Sequence, residues 1–352
     1  AFSYTRFGKA KFDLSFNGQP LNYAYNTRTP FRDAGNNKWT LDPALRTRVQ
    51  NKEVGVVGIG TSAATNVASI YRSIATEFPM SQQRNTLAMG LKYRVNDFAT
   101  VDFKYNMVTK TGNQPWGAAF AFNDAQELPM ALDQGVNEFT AGLELFKAEY
   151  GMIRAEYQGS FFKQNFASLE WDNPLRATDF DNGKVPPAGP WDPSGYSNGN
   201  GPAFGRQAMA PSNQLNALNV TALYKMPART TLNGSFSLIR MTQDDDILPF
   251  TTNTKIANTA TYAFFPGLAR LPRPSAEAQV DALNAVINFA TRPTDYFAFD
   301  MKYRFNDHDN VTPRWNGEYN VRFDAVPEYV PGTLTNGQDV RQNTIEAGAT
   351  FT

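Results

Sequence analysis

The chain of 352 residues contains no cysteine and a single histidine, His308. Without cysteine, the sequence excludes disulfide bonds, thiolate metal sites, iron–sulfur clusters, cysteine nucleophiles and CxxCH attachment of haem on this chain. One histidine leaves no His-rich metal site and almost no acid–base chemistry by imidazole. Because 33 Lys and Arg residues balance 33 Asp and Glu residues, the composition also argues against a nucleic-acid-binding protein.

Long apolar runs are missing as well. The longest weakly polar stretch, residues 54–70, is interrupted by Gly, Thr, Ser and Asn, and it falls short of the ~20 apolar residues that a membrane-spanning helix needs. Aromatic residues are plentiful by contrast, with 27 Phe and 15 Tyr. Many aromatics, a polar average and no helical span together favour an all-β protein of the outer-membrane type.

Alternation of apolar and polar residues dominates the sequence. Residues 87–94 and 101–107 alternate strictly and are separated by a short turn, and three further pairs of segments repeat this unit. About a dozen strands of roughly ten residues are predicted, which is the length that a tilted strand needs to cross a bilayer. The other segments of this type lie at 12–16, 21–25, 138–161, 218–238, 283–305, 319–323 and 345–351.

The connections alternate in length. Short turns close the pairs, and long segments separate them at 110–135, 163–213 and 242–278. Residues 185–205 are rich in Pro, Gly, Asn and Ser and are predicted to form an irregular loop, whereas residues 63–76 have the periodicity of a short helix. The predicted fold is therefore an antiparallel up-and-down transmembrane β-barrel, with short periplasmic turns and long extracellular loops, in one domain over residues 1–352.

The two faces of the predicted strands differ in chemistry. Alternation assigns charged residues to the lumen, where they are candidates for contact with a partner: Lys92, Arg94, Asp102, Lys104, Glu144, Arg154, Glu156, Asp300, Lys302 and Arg304. The opposite set is predicted to face lipid: Val101, Phe103, Tyr105, Leu143, Leu145, Phe236, Leu238, Phe297, Phe299 and Met301. A slip of one residue in register would exchange the two sets.

Catalytic and metal-binding patterns are not found. The sequence has no Ser/His/Asp order, phosphate-binding Gly-rich loop, HExxH motif or paired carboxylates that define an active site, so no enzyme activity is predicted. Residues 244–246 are three consecutive aspartates, and a solvated acidic loop is the favoured interpretation over a calcium site. His308 lies between Asp307 and Asp309 and is predicted to be exposed in a turn.

Several segments in a fixed order resemble one family. They include residues 105–112, residues 121–129 leading to Leu132-Asp133, residues 159–162 followed by 168–174, and residues 211–214 followed after a hairpin by 240–251. This order is similar to the MtrB/PioB family of outer-membrane β-barrels. The similarity extends from about Phe12 to the end of the chain.

The resemblance implies a non-catalytic sheath in the outer membrane of a Gram-negative bacterium. Such a barrel encloses a periplasmic multihaem c-type cytochrome, often meets a second cytochrome outside the cell, and supports electron transfer across the membrane. This chain would carry no cofactor, and haem c would belong to the partners. Family barrels are about twice as long, so we expect these residues to form part of a larger barrel. A passive or substrate-selective porin without a cytochrome is the alternative, and a secreted β-sandwich adhesin is a weaker one.

Overall fold

A computed structural model describes residues 1–51, 53, 62–120, 124–178, 203–249, 252, 271, 273–316, 319–322, 326–330 and 334–352. Its elements up to the middle of the chain are β1 (Phe2–Arg6), β2 (Ala10–Ala24), β3 (Arg28–Thr29), β4 (Arg32–Asp33), β5 (Lys38–Thr40), α1 (Pro43–Gln50), α2 (Ser62–Ile74), β6 (Thr76–Glu77), β7 (Met80–Arg94), β8 (Ala99–Phe120), β9 (Asp124–Lys147) and β10 (Gly151–Gln164). They are followed by β11 (Ser168–Asp172), β12 (Phe204–Ala208), β13 (Asn213–Met226), β14 (Thr230–Gln243), β15 (Ala278–Thr294), β16 (Phe297–Asn310), β17 (Tyr319–Arg322), β18 (Val326–Val330) and β19 (Val340–Phe351).

One antiparallel sheet of 11 strands dominates the molecule, in the order β1-β2-β7-β8-β9-β10-β13-β14-β15-β16-β19. Each strand pairs with the strands before and after it in this series, so the predicted up-and-down topology is confirmed. Five short connections lie at one end, here called the turn end. The long connections lie at the other, the loop end, where β8 and β9 are also joined by the short segment 121–123. Within the described residues β1 pairs only with β2 and β19 only with β16, so the sheet is open at both edges.

Side-chain alternation gives this sheet an apolar face and a polar face. Apolar residues oppose one another from strand to strand, as in the row Phe103, Ala141 and Tyr157, and the apolar face is exposed: Leu143 retains 43% of its accessible surface and Leu238 retains 45%. An exposed apolar face of this extent is typical of a lipid-facing surface.

The hydrophobic core lies outside the main sheet, in a lobe at the loop end that we call the cap. The cap comprises residues 28–51, 62–78, 168–178 and 203–209, and it packs on the loop-end extension of the β8–β9 hairpin. Trp39 and Leu169 are completely buried in its core. The predicted helix at 63–76 is confirmed as α2, which buries Val67 and Tyr71 in the same core.

Several element predictions were wrong in extent. Residues 110–135, predicted as a long loop, extend β8 and β9 because their backbone pairing continues to Phe120 opposite Asp124. The two predicted strands at 12–16 and 21–25 are the single strand β2, and the main strands other than β1 have 12 to 24 residues rather than ten. His308 lies within β16, paired with Ala282, and not in a turn.

The strand at 319–323 is present as β17, but it pairs with β18 in a small sheet of its own. Residues 185–202 of the predicted irregular loop lie outside the described residues. Neither α1 nor α2, the helices in the described part of the chain, is long and apolar enough to cross a membrane.

Candidate functional site: the polar face of the sheet

The ten residues predicted to face the lumen all lie on the polar face. Register connects them: Lys92 is opposite Asp102, Glu144 is opposite Arg154, and the row from Arg154 continues through Thr221, Ser235 and Val286 to Arg304. The ten residues predicted to face lipid lie on the opposite, apolar face. The structure thus brings each set together on one surface, while the assignment of these surfaces to lumen and lipid stays a prediction.

An ion cluster centred on Arg154 of β10 reaches across β9 to Asp102 of β8. Its guanidinium group donates to both carboxylate oxygens of Asp102, at 2.6 and 3.0 Å, and to Glu156 at 2.5 Å. Gly142, between Asp102 and Glu156 in the row, leaves the space that this group needs, because a Cβ atom there would lie 2.5 Å from Arg154 Nη2. Bidentate contact of this kind fixes the guanidinium geometrically, so the cluster stiffens this part of the sheet.

Strands β2, β7 and β8 carry an excess of cations on the polar face. Lys11 lies directly opposite Lys92, and Arg84 lies directly opposite Lys110. Like charges in such positions destabilise a sheet. Lys92 also lies opposite Asp102, and Lys11 pairs with Asp13 at 2.9 Å, but the cations outnumber these two carboxylates on the polar face of the three strands. We call this group the cationic strip; it consists of Lys11, Arg84, Lys92, Arg94, Lys104 and Lys110.

Sequence reasoning missed half of the cationic strip. Lys11, Arg84 and Lys110 were not among the predicted lumen-facing residues, and Lys110 was assigned to a loop. The alternation that identified Lys104 also includes Lys110, six residues later on the same strand, so the signal was present in the sequence. Arg84 could be found only through its pairing with Lys110.

The middle of the polar face, on β13, β14 and β15, is uncharged away from the turn end, where Lys225 lies opposite Thr231. Ser237 donates to Asn219 at 2.5 Å, and Asn288 donates to Asn233 at 2.8 Å. Nearer the loop end the same face becomes apolar, in two adjacent register rows. These rows consist of Leu215, Met241 and Val280 and of Ala217, Ile239 and Ala282. The polar face therefore changes from cationic to neutral across the sheet.

Charge returns at the far side of the sheet, on β16 and β19. Arg304 lies 3.9 Å from Glu346, and Lys302 is directly opposite Glu346. Asp300 lies opposite Gly348. Because Gly348 has no side chain, it leaves space for the carboxylate of Asp300. Both signs occur here, in contrast to the cationic strip.

Two of the acidic residues 244–246 hold neighbouring segments through hydrogen bonds. Asp244 accepts a hydrogen bond from the Ser275 hydroxyl at 2.6 Å, and Asp245 accepts one from the Ser212 backbone N–H at 2.6 Å. The described parts of the chain contain no group of three or more His, Cys, Asp or Glu residues that could hold a metal ion. These aspartates anchor the ends of β13 and β15.

A two-faced antiparallel meander with an exposed apolar face defines the class of protein as an outer-membrane β-barrel. The family model for the putative outer membrane beta-barrel porin MtrB/PioB matches residues 1–351. The chain belongs to the MtrB/PioB family and is an outer-membrane protein.

Individual relatives are distant. Outer membrane protein MtrB of Shewanella baltica (strain OS185) is 20% identical over 257 residues, which cover 72% of this chain and 31% of that protein. The chain thus matches less than a third of the length of this curated relative. Among solved structures, a point mutant of the ferric enterobactin receptor PfeA from Pseudomonas aeruginosa aligns with 88% of this chain and 39% of its own, at 12% identity and a TM-score of 0.33.

Proposed function

We propose that this chain forms the wall of a porin-like sheath that encloses a multihaem c-type cytochrome and supports electron transfer across the outer membrane. The observation that carries the proposal is the cationic strip on a face that also holds the ordered ion cluster of Arg154. An excess of lysines and arginines on a surface turned away from lipid suits a partner that presents carboxylates, and haem propionates and acidic side chains are both of this kind.

The chemistry of the chain supports a role as scaffold rather than carrier. Haem attachment through CxxCH requires cysteine, of which the sequence has none, and a single histidine cannot supply axial ligands in series. The redox groups would therefore belong to the enclosed cytochrome and to a second one outside the cell. The polar face would hold the first of these partners, and the apolar face would contact lipid.

A visible spectrum tests this proposal. The protein is purified gently from native outer membranes through a tag on this chain, and the spectrum is recorded before and after addition of dithionite. Sharp bands of reduced haem c in the purified material are the expected result. A colourless barrel that still shifts on heating in gel electrophoresis would contradict the proposal and favour a passive porin, whose conductance in a planar bilayer would then be measurable.

Charge reversal shows whether the cationic strip is the contact. The double variant Lys92→Glu and Lys104→Glu should lose most of the co-purifying haem while it still assembles. A matched control, Lys9→Glu with Lys147→Glu, makes the same change in net charge at the turn end and should retain the haem. If both variants retained the same amount of haem, the cationic strip would not be part of the interface with the cytochrome.

A further inference from the structure

Aromatic residues on the apolar face follow an oblique line across the sheet. Strands β2, β8, β10, β14 and β16 run from the turn end to the loop end, and one aromatic residue of each strand lies on this line: Phe16, Tyr105, Tyr157, Phe236 and Tyr303. Starting at Tyr105, the residues paired across the sheet are Phe139, Gly159, Asn216, Arg240, Asp281 and Asp309.

The displacement of the aromatics from this row is regular. Tyr157 lies two residues nearer the turn end than Gly159, two strands away from Tyr105. Phe236, four strands away from Tyr105, lies four residues nearer the turn end than Arg240. Tyr303, six strands away from Tyr105, lies six residues nearer the turn end than Asp309. In the other direction the row passes through Met89 to Leu14, and Phe16 lies two residues nearer the loop end. The line therefore shifts by one residue per strand.

Asparagines follow a second line, nearer the loop end and parallel to the first. They are Asn85, Asn137, Asn216 and Asn343, on strands that run in the opposite direction. Each of the three tyrosines on the aromatic line donates a hydrogen bond from its hydroxyl to the asparagine of the next strand in the sheet. The three bonds are Tyr105 to Asn137 at 2.6 Å, Tyr157 to Asn216 at 2.6 Å and Tyr303 to Asn343 at 2.7 Å.

A third parallel line lies near the turn end. Each residue on it follows an asparagine by eight positions on the same strand, as Tyr93 follows Asn85, Tyr224 follows Asn216, and Phe351 follows Asn343. Between the asparagine line and this one, all described side chains on the apolar face of the 11 strands are uncharged. Charge appears on this face beyond the asparagines, in the pairs Arg240–Asp281 and Arg341–Asp307, at 2.8 and 2.7 Å.

We propose that the asparagine line and the Tyr93–Tyr224–Phe351 line mark the two edges of the hydrocarbon layer that this sheet crosses. A shift of one residue, about 3.3 Å, per strand spacing of about 4.8 Å inclines the lines by about 35° to the pairing direction. This equals the strand tilt of transmembrane barrels, about 35–45°. Eight residues along strands tilted in this way span about 22 Å across the layer, close to the ~25 Å apolar band of such barrels.

This arrangement explains the hydrogen-bonded tyrosines. Each ring lies in the apolar band, and its hydroxyl reaches toward the loop-end boundary, where an asparagine supplies the acceptor that hydrocarbon cannot. The proposal rests on the assignment of the apolar face to lipid, which is part of the proposed function, but it does not depend on a cytochrome partner.

Single cysteines test the proposal directly, because the natural chain has none. Ala141, Val220 and Ala347 lie midway between the two boundaries on three different strands, whereas Asn343 lies on one boundary. Val220 and Asn343 belong to the same register row, through Phe236, Ala285 and Phe305. The four residues are replaced by cysteine one at a time and labelled with an environment-sensitive fluorophore. The protein is then placed in phosphatidylcholine vesicles that contain lipids brominated at different acyl positions.

The three central labels should be quenched most by bromine deep in the acyl chains, and they should report one common depth. The label at Asn343 should lie about 11 Å shallower, at four residues of tilted strand, and be quenched most near the headgroups. Equal depths for Val220 and Asn343, with a different depth for Ala347, would show that the boundary follows the register rows and would overturn the proposal alone. Labels that no brominated lipid quenches would overturn the lipid-facing assignment as well.

Discussion

At the scale of single residues, Gly142 shows how the polar face accommodates a large cation. A side chain at this position would collide with the guanidinium of Arg154 and with Asp102 Oδ1, at 2.5 and 2.9 Å from its Cβ. We expect Gly142→Val to displace the ion cluster and to lower the free energy of unfolding by about 1–3 kcal/mol. This difference is measured by unfolding the protein with urea in detergent, with loss of the heat-dependent gel shift as the readout.

Gly90 provides the matched control, since it lies on the same face and a Cβ there would meet nothing within 4 Å. Gly90→Val should therefore unfold at nearly the same urea concentration as the natural chain. If both variants were equally destabilised, the cost would come from valine on this face in general and not from displacement of Arg154.

Tyr71 makes the stability of the cap depend on alkaline pH. Its hydroxyl donates to the Pro174 carbonyl at 2.7 Å, and burial raises the pKa of this hydroxyl above its ordinary value of 10.0. Above pH 10 the unfolded chain releases this proton while the folded cap keeps it, so unfolding becomes more favourable as pH rises. The contribution of Tyr71 is thus fully present below pH 10 and is lost above it.

Tyr71→Phe removes this titration. The variant should lose the hydrogen bond, which costs about 1 kcal/mol at neutral pH, but its stability should fall less than that of the natural chain between pH 9 and 11. Urea unfolding followed by tryptophan fluorescence reports on the cap through Trp39 and Trp171, which are buried there. Parallel pH curves for the two proteins would contradict a raised pKa at Tyr71.

At the scale of elements, a buried ion pair adds to the hydrophobic core of the cap and links its segments. Arg46 Nη1 lies 3.1 Å from Asp172 Oδ2, and each side chain keeps only 5% of its accessible surface. Arg46 also donates to the carbonyl oxygens of Asn173, Arg176 and Ala203, so one side chain links α1 to the segments around β11 and β12.

Loss of Arg46 should open the cap and leave the large sheet intact. Arg46→Met leaves Asp172 buried without its cation, which typically costs about 3–5 kcal/mol. Limited proteolysis should then cut within residues 168–178, while the heat-dependent gel shift of the barrel persists. Arg229→Gln breaks the exposed pair with Asp295 and should leave both properties unchanged. Loss of the gel shift in Arg46→Met would mean that the cap and the sheet fold as one unit.

The elements also show what the sequence could and could not predict. Alternation located the strands and separated the predicted residues into two sets that lie on opposite faces of the sheet, because the side-chain period of a strand is independent of its neighbours. It could not predict the extension of β8 and β9 to residues 120 and 124, since Gly117 and Ala118 interrupt the pattern there. The cap was missed because its core joins residues from four separate segments, such as Trp39 and Leu169.

The candidate site was also predictable only in part from the sequence. The charged face follows from parity alone, whereas the cationic strip requires the pairing of Lys11 with Lys92 and of Arg84 with Lys110. The eight-residue spacing of Asn216 and Tyr224, repeated on two other strands, is visible in the sequence. Its meaning depends on the shift of one residue per strand, which only the register reveals.

At the scale of the whole molecule, the proposed function requires the apolar face of the sheet to contact lipid and the polar face to line the interior of the barrel. Phe103 and Lys104 are neighbours on β8, and their side chains belong to the apolar and the polar face respectively. Assembly into the outer membrane should therefore depend strongly on the first residue and weakly on the second. Phe103→Arg places a charge in the middle of the apolar band, where it costs about 2–4 kcal/mol, and we expect this variant to fail in assembly.

Lys104→Gln should assemble normally, since an amide on the polar face stays hydrated. Outer-membrane yield and the heat-dependent gel shift are measured for both variants after equal expression. The two positions are adjacent on one strand, so they lie at nearly the same depth and differ chiefly in the face that their side chains occupy. Normal assembly of Phe103→Arg together with failure of Lys104→Gln would mean that the apolar face lines the interior. Equal behaviour would mean that neither face contacts lipid at this level of the sheet.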